Sequence, residues 1–103
     1  MPKLSVIVPV YNEEKMVKTS MERLLGTKIP GITSMEVIVV DDGSSDKTLE
    51  EVGKVGDKRI IKLEHKTNRG KGAAIRTALT KISGDLVVIQ DADLEYDPAD
   101  LGL

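Results

Sequence analysis

Four short runs along the chain are almost wholly Val, Ile and Leu: Leu4 to Val8, Glu36 to Val40, Ile60 to Leu63 and Leu86 to Gln90. None alternates cleanly between apolar and polar positions, so each predicts a strand buried on both faces. Between them the apolar positions recur at helical spacing. Asn12 is the expected N-cap of a first helix, with Glu13 and Glu14 in its first turn, Val17, Met21, Leu24 and Leu25 on one face, and Gly26 as its stop. A second helix is expected from about Asp46 to Val55, carried by Leu49, Val52 and Val55 although Gly53 lies inside it. A third runs from Gly72 to Ser83, with Ile75, Ala78, Leu79 and Ile82 at i, i+3, i+4 and i+7 before Gly84. The order β-α-β-α-β-α-β predicts an α/β fold of Rossmann-like type: a parallel sheet of four strands, right-handed crossovers and helices on both faces. Asp97-Pro98-Ala99-Asp100 reads as the cap and first turn of a further helix, so the sequence is expected to be a piece of a longer protein.

Composition narrows the chemistry. The 103 residues include no cysteine and one histidine, which excludes disulfide scaffolds, thiol nucleophiles and zinc-thiolate sites. No apolar run nears the roughly 20 residues needed to cross a bilayer, and no signal segment precedes the first strand, so a cytoplasmic protein is expected. Two tyrosines are the only aromatics, which removes the stacking platforms of single-stranded nucleic-acid binders. The net charge of −2 hides a sorting of charges along the chain. Residues 54 to 81 carry nine Lys or Arg against Asp57 and Glu64, and residues 85 to 103 carry six acids and no base. Either band suits a solvated face; together they suit an anionic ligand bridged to carboxylates by a divalent cation.

In a doubly wound sheet, ligands bind beyond the carboxyl ends of the strands. Those exits read Pro9-Val10-Tyr11-Asn12-Glu13, Asp41-Asp42-Gly43-Ser44-Ser45-Asp46 and Asp91-Ala92-Asp93. None has the glycine fingerprint of a dinucleotide fold, and Gly70-Lys71-Gly72 lacks the remainder of a P-loop. Asp91 and Asp93, one residue apart at an expected strand end, can point the same way. They read either as surface acids in a turn or as hard oxygen donors for Mg2+ or Mn2+, with the metal the favoured reading. Asp41 and Asp42 read as turn formers or as acceptors for the N–H groups of a nucleobase. Tyr11 could fill the core or pack against a base, Glu13 could be a first-turn acid or a site residue, and Arg69 and Lys71 could be a solvated loop or partners of a diphosphate. His65, with no nucleophile or acid in a recognisable pattern, is expected to be structural or exposed.

Taken in order, Val8-Pro9-Val10-Tyr11-Asn12-Glu13, Val40-Asp41-Asp42-Gly43-Ser44-Ser45-Asp46, Asn68-Arg69-Gly70-Lys71-Gly72 and Asp91-Ala92-Asp93 resemble the amino-terminal half of family 2 glycosyltransferases of the GT-A fold. The run from Gln90 to Pro98 is most similar to dolichyl- or polyprenyl-phosphate mannose and glucose synthases. The resemblance covers residues 1–103 and implies a nucleotide-sugar-binding portion cut short after its DXD motif. It implies a UDP- or GDP-sugar donor, inversion at the anomeric carbon and a lipid-phosphate acceptor. On that basis Pro9, Tyr11 and Glu13 would line the base and ribose pocket, and Asp42 would hold the base with Asp41 beside it. Arg69 or Lys71 would approach the base or diphosphate, and Asp91 and Asp93 would be the catalytic DXD pair at a Mg2+ or Mn2+ ion.

The acceptor half of such an enzyme would lie past Leu103, so this chain is expected to bind nucleotide weakly and to transfer no sugar. The whole protein would work at the cytoplasmic membrane face, without nucleic acid, and the uncovered sheet edge would favour self-association. Two rival readings are a non-catalytic nucleotide-binding module and a Mg2+-dependent nucleotidyltransferase. The latter usually has a glycine-rich loop where this chain has Tyr11-Asn12-Glu13. A phosphoacceptor receiver domain is disfavoured, because its acid pair follows the first strand.

Overall fold

A computed structural model describes residues 2–90. The expected elements are all present in the expected order: β1 (Lys3–Val10), α1 (Val17–Gly26), β2 (Ser34–Asp42), α2 (Thr48–Val55), β3 (Ile60–His65), α3 (Lys71–Leu79) and β4 (Leu86–Ile89). The strands form one parallel sheet in the order β3-β2-β1-β4. Asp91 and Asp93, and the helix expected from Asp97, lie outside the described residues.

Alternate residues of the two central strands serve the two faces. Val6, Val8, Val10, Val37 and Val39 pack with Val17, Met21 and Leu24 of α1 and Val52 of α2. Ile7, Ile38 and Val40 pack with Ala74 and Ala78 of α3. Burial on both faces, as expected, holds for β1 and β2. It does not hold for β3, where Lys62 and Glu64 interrupt the run, nor for β4, where Leu86, Val87 and Ile89 are exposed. These two are the outer strands of the described sheet, and position in the sheet is not a local property of a sequence.

The strand ends differ usefully from the sequence reading. β1 and β2 run to Val10 and Asp42, so Pro9 and the paired aspartates are strand residues. Pro9 is tolerated because a parallel ladder sends residues 7 and 9 to the same side, and on that side Ile7 already makes the last described bond, its carbonyl accepting from the Gln90 amide. The helices are shorter than expected. α1 begins at Val17 because Asn12 does not cap it; Asn12 adopts a left-handed φ of 50° and turns its side chain to the β2 exit. α3 stops at Leu79, where the Thr80 hydroxyl donates to the Thr77 carbonyl, so Ile82 reaches the core from the segment that follows the closing turn. The face that α3 presents to the sheet is built from alanines, and Leu79 is exposed.

A buried polar cluster closes the amino-terminal end of the sheet. Glu36 accepts from the Ser5 hydroxyl (2.6 Å), the Ser83 amide (2.6 Å) and the Ser83 hydroxyl (2.9 Å), and Lys3 lies 3.4 Å away. The Ser5 hydroxyl oxygen in turn accepts from the Gly84 amide. β4 is thereby pinned to β1 and β2 by its leading turn.

Candidate functional site

At the opposite, carboxyl end of the sheet, three segments converge on a cavity of about 310 Å³. Its walls are Pro9, Val10, Tyr11 and Glu13 from the β1 exit, Asp42 from the end of β2, and Asn68, Gly70 and Lys71 from the turn entering α3. Of the residues expected to touch a ligand, Pro9, Tyr11, Glu13, Asp42 and Lys71 therefore meet around one space. Tyr11 is 46% exposed and is not a core aromatic. Asp41 and Arg69 are adjacent but do not line the cavity.

The two aspartates divide because strand residues alternate in direction. Asp41 is buried, and its Oδ1 accepts the Ser44 amide at 3.1 Å, which makes it the turn former. Asp42 lies on the α3 side. Its Oδ1 accepts from the Arg69 amide (2.9 Å) and faces His65 Nδ1 (2.9 Å), and its Oδ2 accepts from the Gly70 amide (2.9 Å). Arg69 thus serves the site through its backbone. Burial pushes the Asp42 carboxyl up, but the Arg69 amide, the His65 ring and the Gly70 amide outweigh it and hold the group below the usual carboxylate range. An ionised carboxylate offers about four acceptor positions, and the described residues fill three of those of Asp42.

The loops around the cavity are held by short polar contacts. Asn12 donates its amide to Ser44 Oγ (2.8 Å) and accepts the Ser45 amide on Oδ1 (2.8 Å), tying the β1 and β2 exits together. Asp46 accepts from the Thr48 amide (3.0 Å), the Thr48 hydroxyl and the Glu14 amide (3.3 Å), and Thr48 Oγ1 accepts from the Glu13 amide (2.8 Å). Asp46 therefore helps start α2 from just before its first residue. Gly43 sits at φ +76°, and a Cβ there would come within 2.5 Å of the Asn68 amide nitrogen and the Thr67 carbonyl carbon. Only glycine lets the β2 exit lie this close to the segment before α3.

His65, expected to be structural or exposed, is buried and joins Asp42 to Thr77 of α3, with Nε2 2.8 Å from Thr77 Oγ1. The structural alternative holds, and its partners were not legible because they become neighbours only through the register that sets Asp42 beside His65. Val10, Asn68 and Gly70 also line the cavity; none had a role assigned from the sequence, although all three stand inside the motifs at the strand exits and before α3. Among the described residues no group of three or more His, Asp or Glu is placed to hold a metal. The expected metal pair, Asp91 and Asp93, follows directly on Gln90. That residue bonds Ile7, two positions before Pro9 of the cavity wall.

Comparison with known proteins gives this arrangement its context. The undecaprenyl-phosphate 4-deoxy-4-formamido-L-arabinose transferase of Proteus mirabilis is 38% identical over 102 residues, covering 96% of this chain and 31% of that protein. A mannosyltransferase from Pyrobaculum calidifontis, solved in complex with GDP-Man and Mn2+, superposes with a TM-score of 0.80 at 34% identity over 89% of this chain and 28% of its own. Staphylococcus aureus TarS (residues 1–349) in complex with UDP-GlcNAc superposes with a TM-score of 0.79 at 39% identity over 88% of this chain and 26% of its own. The chain thus spans about a third of the length of the curated relatives it matches. Residues 5–103 match the profile described as Glycosyl transferase family 2, and with the parallel sheet and the convergent strand exits this places the chain in that family.

Proposed function

We propose that this chain is the donor-binding half of an inverting glycosyltransferase that takes a hexose from a UDP- or GDP-sugar and passes it to a polyprenyl phosphate. The observation that carries the reading is the cavity at the carboxyl end of the sheet, where Tyr11, Glu13, Asp42 and Lys71 converge beside the first turn of α3. Each type of group there suits a part of a nucleotide sugar. Tyr11 offers a ring face to a base, and Asp42 offers one acceptor position to a base N–H. Lys71 and the opening turn of α3 favour the negative charge of a diphosphate. The names of the relatives support both ends of the reaction, since one is an undecaprenyl-phosphate transferase and two structures hold GDP-Man and UDP-GlcNAc.

In the reaction, an oxygen of the acceptor phosphate attacks the anomeric carbon as the bond from that carbon to the diphosphate breaks, with inversion and release of the nucleoside diphosphate. An acceptor that is already an anion needs little help from a general base. Asp91 and Asp93 are two carboxylates without imidazole or thiol, a donor set that fits Mn2+ or Mg2+, and the Mn2+ in the Pyrobaculum structure supports that choice. Bound there, such a cation would neutralise charge on the departing diphosphate. No helix among the described residues is long and apolar enough to cross a membrane. A lipid acceptor would place the whole protein at the cytoplasmic membrane face.

Calorimetric titration with UDP-glucose and GDP-mannose, each with and without Mn2+, tests the reading. Metal-dependent binding of one nucleotide, lost in Asp93→Asn, is the expected result. Failure of the wild-type chain to bind either would overturn it.

A further inference from the structure

We infer that His65 is a positioning residue for this site, aiming Asp42 at the ligand; the inference rests on the donor-binding reading above. His65 ends β3 and Asp42 ends β2, and the strand register sets them side by side. The ring spans from Asp42 Oδ1 (2.9 Å) to Thr77 Oγ1 (2.8 Å) and is 6% exposed. A carboxylate only accepts, so Nδ1 carries the proton donated to Asp42, and in the neutral ring Nε2 accepts from the Thr77 hydroxyl. One imidazole therefore links β2, β3 and α3, and α3 is the helix whose first residue, Lys71, lines the cavity.

The geometry limits what Asp42 can do. The torsion that turns a carboxylate about its own axis is broad and roughly two-fold, so its plane is fixed only by its partners. Oδ1 has two of them, His65 and the Arg69 amide, and Oδ2 has the Gly70 amide. Among the described residues the acceptor position left over is on Oδ2, in a residue of the cavity wall. Without the ring, Oδ1 keeps a single amide partner and the carboxylate plane is free to swing. The remaining lone pair then loses its aim, and the Arg69-Gly70 turn loses part of its anchor. A histidine that merely filled space would make neither contact.

The test measures affinity for UDP and for GDP by calorimetry in the presence of Mn2+, with folding of each variant checked by circular dichroism. His65→Phe keeps the ring volume and removes both contacts, and a loss of about tenfold in affinity is expected, the scale of one hydrogen bond to a charged group. Thr77→Val leaves the ring but takes away its far support, with a smaller loss expected, and Thr77→Ser, which keeps the hydroxyl, restores wild-type affinity. If His65→Phe does not fold, the Thr77 pair decides. Wild-type binding in folded His65→Phe, or in Thr77→Val should the former not fold, overturns the inference while the donor reading stands. A wild-type chain that binds neither nucleotide overturns the donor reading, and the role of His65 falls with it.

Discussion

Glu36 is kept charged inside the protein by the groups that surround it. Burial raises its pKa, but the Ser5 hydroxyl, the Ser83 amide and hydroxyl and Lys3 bring it from 4.5 down to about 2. A carboxyl whose folded value is depressed stabilises the fold above its unfolded value and loses that contribution as pH falls toward the folded value. The difference corresponds to about 3 kcal/mol at neutral pH, lost progressively between about pH 5 and pH 2. Thermal melts across that range should show a steep fall for the wild type and a flatter one for Glu36→Gln, which starts about 2 kcal/mol lower because the charged hydrogen bonds are gone. Equal slopes for the two proteins would count against this account. Tyr11 poses the opposite case, an aromatic left nearly half exposed in a cavity wall. Tyr11→Ala should leave the melting temperature nearly unchanged and weaken nucleotide binding about tenfold, within the range of stacking on a base. A large drop in stability would show that the ring is a packing residue after all.

At the scale of elements, the sequence disclosed what is periodic and concealed what depends on partners. The Val and Ile runs of β1 and β2, and the Val17, Met21 and Leu24 stripe of α1, are patterns that only one arrangement buries, so both were legible. The exposure of β4 was not, because Leu86 to Ile89 has the composition of a core strand and differs only in being outermost among the described strands. Nor was the start of α1, since Asn12 is as good a cap as it is a left-handed residue, and the choice is settled by Ser44 and Ser45, more than thirty positions away. The cavity was half legible. Chain direction in a parallel sheet gathers the strand exits at one end whatever their sequence, but the division of labour between Asp41 and Asp42 follows from alternation and from His65. The close approach at Gly43 can be isolated with a matched glycine. Gly56 has a similar φ of +68° but open space around its absent Cβ. Gly56→Ala should cost about 1 kcal/mol of backbone strain, and Gly43→Ala should cost about 1 to 3 kcal/mol more, as Thr67 and Asn68 are forced away. Urea unfolding measures both, and the Gly43 variant alone should lose nucleotide affinity. Equal costs would mean that the segment before α3 yields freely.

For the molecule as a whole, the two outer strands of the described sheet are guarded unequally. β3 carries Lys62 and Glu64 along its length, the kind of charge that discourages a further strand from pairing. β4 carries four apolar residues and no charge, and three of its side chains are exposed. Among the described residues it pairs only with β1, so it combines unpaired backbone groups with apolar side chains, the combination that most favours association. The 103-residue chain should therefore self-associate through β4, its mean mass by light scattering rising with protein concentration. Val87→Lys places a charge in the middle of that strand and should return the chain to a monomer, because pairing or apposition there would bury the ammonium group. The matching change on the other edge, Glu64→Lys, should have no such effect, since β3 is already charged. A strict monomer at every concentration would dispose of the β4 interface. A dimer that survives Val87→Lys would move it elsewhere on the surface.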